Sequence, residues 1–292
     1  MSIGISGLYV YPIKSCAGIA LAESGIGAAG LYNDRRWMVV SPDGDFITQR
    51  SHPALARVAT ALHDGYLVAL APGLPRLDIP IDVIEDDDSV RCSVRVWGDV
   101  VDAIDEGELA AQWFAQVVGA PCRLVRVHPQ ARRAVGPARV AAWLASHPDV
   151  RGFAAEHVTA FADGYPVLVA NEASLRELNE RLAAAGAAPV GMERFRPNVV
   201  LDEFGAFDED YTVEIAIGAV RLALVKPCVR CEIPNTDQRT GARGVEPMAT
   251  LAGFRSQPGG GVTFGMNAIV QAPPGAVVKV GDRAEVRLDF QE

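Results

Sequence analysis

Alternating apolar and polar positions predict short β-strands along most of the chain. The clearest run is residues 90–96, where apolar residues at every second position alternate with polar ones. A period of two places one face of a strand against a core. Residues 42–45 carry a turn signal between two apolar runs and predict a hairpin. Strands are also predicted at residues 4–11, 167–170, 199–201 and 212–225 (turning at Gly218), with two or three more within 267–288. The acidic run 85–88 predicts a solvated loop.

Helical periodicity is confined to a few segments. Residues 107–118 carry apolar side chains at helical spacing, and Gly119 follows as a stop signal. Residues 175–185 show the same periodicity, and Ser174 with Glu177 has the spacing of a capping box. Further short helices are predicted at residues 137–146 and after Glu246-Pro247. The pattern therefore predicts a β-rich α+β fold rather than a regular alternation of strands and helices.

Length and charge narrow the class of protein. A chain of 292 residues is expected to form one large or two ordinary domains, and the change in pattern near residue 120 predicts domains at 1–122 and 123–292. The net charge of −9 argues against nucleic acid as a partner. Five cysteines without a framework spacing predict reduced thiols and a cytoplasmic protein. No signal peptide and no apolar run of membrane-spanning length is visible, so no membrane partner is expected.

Residues 226–241 contain several side chains that could bind a metal or react. It holds two thiols, Cys228 and Cys231, together with the cations Lys226 and Arg230. Thiolates are soft metal ligands, and neighbouring cations favour the thiolate over the thiol. Prolines on both sides of the pair exclude a regular helix, so we expect an irregular loop at the end of a strand.

The cysteine pair also fits three alternative roles. A structural zinc site needs a second Cys or His pair, and the remaining cysteines and histidines are scattered singly. A thioredoxin-like redox pair would begin a helix, whereas Pro234 and Asn235 favour a loop. In the third role both thiols are small side chains of the core. The sequence holds no Gly-rich dinucleotide fingerprint and no phosphate-loop motif.

Several short stretches taken together resemble one family. They are residues 11–16 (Tyr-Pro-Ile-Lys-Ser-Cys), 34–37 (Asp-Arg-Arg-Trp), 194–198 (Arg-Phe-Arg-Pro-Asn), 228–231 (Cys-Val-Arg-Cys) with Asp237 and Thr240-Gly241 after them, and 280–282 (Val-Gly-Asp). In order and spacing the chain resembles MOSC proteins with an N-terminal MOSC β-barrel domain, such as YcbX-type proteins and the mitochondrial amidoxime-reducing component. The resemblance implies an N-terminal β-barrel domain followed by a MOSC domain of mixed β-barrel and short helices.

The resemblance also implies a cofactor and its ligands. The expected cofactor is the molybdenum cofactor, a pterin dithiolene with a terminal phosphate, whose metal Cys231 would ligate. The residues expected to bind the cofactor are Lys14, Ser15, Arg35, Arg196, Asn198 and Arg230. Arg36 occupies the family's aromatic position, which leaves the choice between Arg35 and Arg36 open. Asp237 is a candidate proton donor.

The function implied is reduction of N-oxygenated compounds, namely hydroxylamines, amidoximes or N-hydroxylated bases. No iron–sulfur cysteine set follows Cys231, so a separate electron donor is expected, such as a flavoprotein with an iron–sulfur or haem carrier. Two alternatives remain: a sulfur carrier or transferase with a persulfide on Cys231, and a protein that only binds the cofactor.

Overall fold

The structure is a computed structural model that describes residues 2–82, 90–154 and 156–289. The acidic run 85–88 lies outside the described residues. The strands are β1 (Ser2–Val10), β2 (Ile19–Leu21), β3 (Glu23–Gly27), β4 (Gly30–Leu31), β5 (Trp37–Val40), β6 (Ala59–His63), β7 (Tyr66–Leu70), β8 (Leu77–Pro80), β9 (Arg91–Val96), β10 (Asp99–Asp105), β11 (Arg123–Val127), β12 (Arg133–Ala134), β13 (Val158–Thr159), β14 (Val167–Asn171), β15 (Val199–Asp202), β16 (Thr212–Ile217), β17 (Val220–Arg230), β18 (Val262–Gln271), β19 (Val277–Lys279) and β20 (Arg283–Leu288). The helices are α1 (Glu108–Val118), α2 (Pro137–Ser146), α3 (Glu172–Ala184) and α4 (Met248–Arg255).

A closed barrel of seven strands forms the larger core. Its strand order is β15-β14-β18-β17-β16-β20-β1, and pairing of β1 with β15 closes it. Each of the seven barrel strands therefore has a neighbour on both sides, and β2 extends the sheet from β1 as an eighth strand. The interior packs Ile3, Ile5 and Leu8 of β1 against strand residues such as Val169 and Leu222, all at most 2% exposed. The first strand of the chain is therefore part of a barrel built mainly from its second half.

A second core lies in the first half of the chain. The sheet β5-β11-β10-β9 and the sheet β6-β7-β8 lie beside α1. Trp37, Trp113 and Phe114 are buried between these elements. Strand β11 follows the predicted boundary at residue 122, yet it pairs with β5 and β10. The division into 1–122 and 123–292 stays a prediction.

Most predicted elements are present. The fold is α+β and rich in strands, as the sequence pattern predicts. The predicted helices at 107–118, 137–146 and 175–185 correspond to α1, α2 and α3. The run 90–96 contains β9, whose Val94 and Val96 are buried. Among the described residues, no helix is long and apolar enough to cross a bilayer.

The predicted capping box is wrong. Helix α3 begins earlier, and Asn171 is its N-cap, because the Asn171 Oδ1 accepts a hydrogen bond from Ala173 N at 3.0 Å. Ser174 lies one turn too late to cap. Its hydroxyl instead contacts the buried carboxylate of Glu209 at 2.8 Å.

The predicted loop around both cysteines is also wrong for its first half. Strand β17 continues to Arg230 and stays paired with β18, with register shifts between Leu224 and Lys226 and between Pro227 and Val229. Pro227 has no N–H, and it is accommodated at this irregular part of the ladder. Cys228 therefore lies in a strand, and Cys231 lies in the loop that follows.

Candidate functional site

A cavity of about 440 Å³ opens beside the end of β17. Seven of the eight residues singled out in the sequence line it: Lys14, Ser15, Arg35, Arg196, Asn198, Arg230 and Cys231. Asp237 does not. Residues separated by more than 200 positions in the chain thus meet around one space.

The barrel strands bring the two halves of the cavity together. Strand β1 runs antiparallel to β15, with Leu8 opposite Val199, so the end of β1 lies beside the start of β15. The loop 11–16, which carries Lys14, therefore lies next to the segment 194–198. Asn198 fixes this junction: its Oδ1 accepts from Leu168 N at 3.0 Å and from Arg35 at 3.1 Å, and its Nδ2 donates to the Tyr9 carbonyl at 3.2 Å.

The lining is strongly cationic. Its described residues include six cationic side chains and one carboxylate: Lys14, Arg35, Arg50, Arg196, Lys226 and Arg230, with Asp163. The whole chain carries a net charge of −9, so this concentration of positive charge is local. Such a cluster attracts an anion, and arginine suits a phosphate because its donors are arranged as a planar fork.

Two of the cations are buried deep in the cavity wall. Lys14 donates to the Phe161 carbonyl at 2.7 Å and to Asp163 at 2.6 Å. Burial lowers the pKa of Lys14, and Asp163 opposes that effect. Arg196 donates to the Cys16 carbonyl at 2.6 Å. Burial, followed by the charge of Arg35, lowers the pKa of Arg196 to about 10, so Arg196 stays charged at neutral pH.

These cations keep donors available for a ligand. An ammonium group has three donors, and Lys14 uses two of them. The Nε and Nη2 of Arg196 donate to no group within the described parts of the chain, while its guanidinium carbon lies 4.2 Å from the Tyr11 ring centroid. Arg35 also contacts that ring and pairs with Asp34 at 2.6 Å. Arg196 is thus the buried cation best placed to receive an anion.

Backbone strain is concentrated in residues that line the cavity. Eight non-glycine residues in the described ranges have positive φ, and four of them line the cavity: Ser15 (68°), Arg35 (46°), Trp97 (57°) and Arg196 (56°). Left-handed backbone is unfavourable for residues with a Cβ, and it persists where the surroundings enforce it, often at functional sites.

The two thiols have different surroundings. Cys231 is exposed at the rim, whereas Cys228 is half-buried with its Sγ 3.0 Å from Arg230 Nη1. Arg230 also donates to the Phe195 carbonyl at 2.8 Å. Its Nε is buried and finds no hydrogen-bond partner among the described residues. Over residues 2–82, 90–154 and 156–289, no cluster of three His, Cys, Asp or Glu residues is arranged to hold a metal. A metal here would have to bring further ligands with it.

Asp237 stabilises its own turn. Its Oδ1 accepts hydrogen bonds from the backbone of Arg239 and from the backbone and hydroxyl of Thr240, at 2.8–3.0 Å. The bonds from Thr240 hold the pKa of Asp237 below its usual range. A carboxylate that stays ionised and lies outside the cavity lining is poorly suited to donate a proton, so the geometry does not support Asp237 as the acid.

The structure also separates the two candidate arginines and adds new residues. Arg35 lines the cavity, whereas Arg36 does not. Sequence reasoning missed Arg50, Trp97 and Asp163 as lining residues. None of these three residues belongs to the cysteine motif. They reach the cavity only through packing between segments that are distant in the chain. Lys226 was noted only as a neighbour of the thiols.

Comparison with known proteins agrees with this architecture. Residues 2–121 match the family described as the MOSC N-terminal beta barrel domain, and residues 156–285 match the MOSC domain. The chain belongs to the MOSC family. This MOSC protein is 33% identical over 257 residues to mitochondrial amidoxime reducing component 2 of Bos taurus, covering 86% of the chain and 72% of the relative.

Two human relatives carry different names. The MOSC protein is 31% identical over 291 residues to mitochondrial amidoxime-reducing component 1 of Homo sapiens, covering 95% of the chain and 81% of the relative. It is 28% identical over 278 residues to molybdenum cofactor sulfurase of Homo sapiens, covering 90% of the chain but 29% of that longer protein. The resemblance inferred from short motifs is confirmed, and the relatives connect the chain with molybdenum-cofactor chemistry.

Proposed function

We propose that this MOSC protein is a molybdenum-cofactor-dependent reductase of N-oxygenated compounds such as hydroxylamines, amidoximes and N-hydroxylated bases. One observation carries the proposal. An exposed thiol, Cys231, lies on the rim of a cavity whose wall is lined by cations. This arrangement supports a soft metal ligand and an anion site within one small-molecule cavity.

The residues present fit a cofactor that combines a metal with a phosphate. Lys14, Ser15, Arg35 and Arg196 would hold the phosphate by charge-assisted hydrogen bonds. The buried, unpartnered Nε of Arg230 offers one more donor for a polar group of the ligand. Cys231 would ligate the metal. When bound, the cofactor supplies a metal centre that exchanges two electrons with a substrate.

Reduction of a hydroxylamine to an amine and water consumes two electrons and two protons. Among the described lining residues, Asp163 is the sole carboxylate. Partial burial opposes its ionisation, but Lys14 and the indole of Trp97 outweigh that effect and hold the pKa of Asp163 below its usual range. Because Asp163 is 65% exposed at its side chain and stays ionised, water is the better source of protons. The role of Asp163 is to orient Lys14.

A separate protein, a flavoprotein with an iron–sulfur or haem carrier, would supply the electrons. The exposure of Cys231 supports this assignment, because a metal on that thiol would lie near the protein surface. Weak electron-transfer partners use small docking surfaces, and the rim around Cys231 is the expected one.

One observation favours a second function. The exposed thiol of Cys231 follows Cys228, whose sulfur is held by Arg230, and a relative is named molybdenum cofactor sulfurase. In this alternative Cys231 carries a persulfide and passes sulfur to an acceptor. Trapping of a persulfide on Cys231 with an alkylating reagent, followed by mass spectrometry, would favour it.

The decisive assay is substrate-dependent oxidation of a reduced viologen dye by protein loaded with molybdenum. We expect hydroxylamine to drive dye oxidation in the wild type and Cys231→Ser to abolish it, because a hydroxyl is a poor ligand for a soft metal. Cys228→Ser is the matched control and should retain most activity. Equal rates in wild type and Cys231→Ser, or no activity in molybdenum-loaded wild type, would contradict the proposal.

A further inference from the structure

An aromatic side chain stands at the mouth of the cavity. Trp97 lines the cavity, is 50% exposed and occupies the turn between β9 and β10. Its indole Nε1 donates to Asp163 at 3.2 Å. The guanidinium carbon of Arg50 lies 4.3 Å from the centroid of the indole ring, within cation–π distance. The ring is therefore held in place from two sides although half of it faces solvent.

The turn places Trp97 in an unfavourable backbone conformation. Val96 pairs with Asp99, which leaves Trp97 and Gly98 as a two-residue loop. Trp97 has φ of 57°, while Gly98 is not among the residues with positive φ. Hairpin turns with positive φ only at the first loop position normally carry glycine there. Half of the side chain is exposed, so it gains only part of the free energy of full burial, and its contacts include those with Asp163, Arg50 and the Phe46 ring at 5.2 Å. Strained backbone of this kind often occurs at functional sites.

Exposure separates the cavity into an interior and a rim. Lys14, Ser15 and Arg196 are 5–8% exposed and form the interior, whereas Cys231 is exposed. Trp97 is half-exposed, and its indole donates to Asp163, the ion-pair partner of Lys14 in the interior. A molecule that enters the cavity from solvent can therefore meet a partly exposed indole ring.

We infer that Trp97, supported by Arg50, is a stacking platform that makes the site selective for flat, conjugated substrates. This inference rests on the proposed function and names a residue that sets its specificity. Planar rings stack on indole in an offset arrangement, and heterocyclic bases do so regardless of their hydrogen-bonding pattern. Arg50 has no carboxylate partner in the described ranges, so its charge remains available to an electron-rich ring beside the indole.

The kinetic test compares two substrates in molybdenum-loaded protein. One is an N-hydroxylated purine base, which is flat, and the other is hydroxylamine, which has no ring. Trp97→Leu should lower the ratio of kcat/KM for the base to that for hydroxylamine about tenfold, mainly through KM for the base. Trp97→Phe keeps a ring and should restore most of the ratio. Arg50→Lys keeps the charge without the planar group and should lower the ratio less than Trp97→Leu does.

Two controls test whether the change in the kcat/KM ratio comes from stacking on Trp97. Trp143→Phe changes a tryptophan outside the cavity lining and should leave the ratio unchanged. Molybdenum content per chain is measured in every variant. A fall in molybdenum content in Trp97→Leu would overturn the inference, because the ring would then belong to cofactor binding. An unchanged ratio in Trp97→Leu would overturn it as well.

A binding measurement separates this inference from the proposed function. Adenine is a flat amino base that is not itself a substrate for reduction, and its binding to the wild type and variants is followed by calorimetry. The dissociation constant should rise about tenfold in Trp97→Leu and recover in Trp97→Phe. If molybdenum-loaded wild type reduces neither substrate, the proposed function fails. The adenine titration then still tests whether Trp97 is a stacking platform, because equal affinities in wild type and Trp97→Leu would refute that role.

Discussion

At the scale of residues, the cavity is positively charged because, among the described residues, only two of its six cations, Lys14 and Arg35, pair with a carboxylate. Arg196, Arg50, Lys226 and Arg230 have no carboxylate partner among the described residues. Arg196 is instead held by the Cys16 carbonyl and the Tyr11 ring. These contacts order the Arg196 side chain but do not neutralise its charge. An anionic ligand therefore interacts with the full positive charge, and the side chain loses little entropy on binding.

Removal of these cations should weaken the hold on an anionic cofactor. Lys14→Ala, Arg35→Ala and Arg196→Ala each delete a charge-assisted hydrogen bond worth about 1.5–3 kcal/mol, which corresponds to roughly a ten- to hundredfold loss of affinity. Cofactor retention is measured as the molybdenum content per chain after dialysis against an apo-protein that takes up released cofactor.

The matched control for these variants is Lys279→Ala. Lys279 is an exposed lysine that pairs with Glu23 at 2.6 Å and lies outside the cavity lining. Its removal should leave retention unchanged. Full retention in all three cavity variants would show that the anion is held elsewhere.

The sequence predicted residues that stand in motifs and missed those that do not. Cys231, Lys14 and Arg196 were recognisable because neighbours in the chain accompany them. Trp97 and Asp163 join the cavity only through contacts across the fold, and Asp163 is 149 positions from Lys14, its ion-pair partner. Local patterns carry no information on such pairs. The motif also suggested Asp237, whose side chain is used by its own turn.

At the scale of elements, the end of β17 shows why proline misled the prediction. Pro227 excludes a helix, but a strand accepts it where the ladder is irregular, and β17 is irregular on both sides of Pro227. The strand therefore continues past Pro227 to Arg230, and Cys231 follows it in a loop. Cys228 and Cys231 consequently differ in exposure although three positions separate them.

A buried carboxyl connects a short helix to the end of β14 and to α3. Glu209 lies in a short 3-10 helix (Asp208–Tyr211), is fully buried and contacts Ser174 of α3 and the N-cap Asn171. The next residue, Asp210, pairs with Arg255 of α4 at 2.5 Å. Burial, opposed by the hydrogen bond from Ser174 and reinforced by the charge of Asp210, raises the pKa of Glu209 from 4.5 to about 7.

Stability should therefore depend on pH through Glu209. Because the pKa is higher in the folded state, protonation stabilises the fold fully below about pH 4.5, and this contribution is lost as pH rises through 7. Each pKa unit corresponds to about 1.4 kcal/mol. Urea unfolding of the wild type and Glu209→Gln at pH 5, 6, 7 and 8 measures the effect. The wild type should lose stability relative to the variant as pH rises, and a constant difference across the range would contradict the assignment.

At the scale of the whole molecule, both ends of the chain form one barrel. Strand β1 pairs with β15 and β20, so residues 2–10 complete a barrel whose other six strands lie within residues 167–288. The change of pattern near residue 120 predicted a boundary there, but strand pairing crosses it in both directions. Pairing between distant strands leaves no periodic trace in the sequence, which is why this topology was not predicted.

The second half of the chain should not fold alone. A fragment of residues 123–292 lacks Ile3, Ile5, Leu8 and Val10, all buried in the full chain. Burial of each such side chain is worth about 1.5–3 kcal/mol, and the total approaches the 5–15 kcal/mol that stabilises a typical protein. Size-exclusion chromatography and near-UV circular dichroism should show an aggregated or loosely packed fragment beside a monomeric full chain. Cooperative unfolding of a monomeric fragment would contradict the role given to β1.

The central claim is that the cationic cavity and Cys231 hold a molybdenum cofactor. Its most direct test is the metal and pterin content of protein purified from a host that makes the cofactor. We expect about one molybdenum and one phosphorylated pterin per chain, with molybdenum lost in Cys231→Ser. Zinc in place of molybdenum, with no oxidisable pterin, would contradict the account.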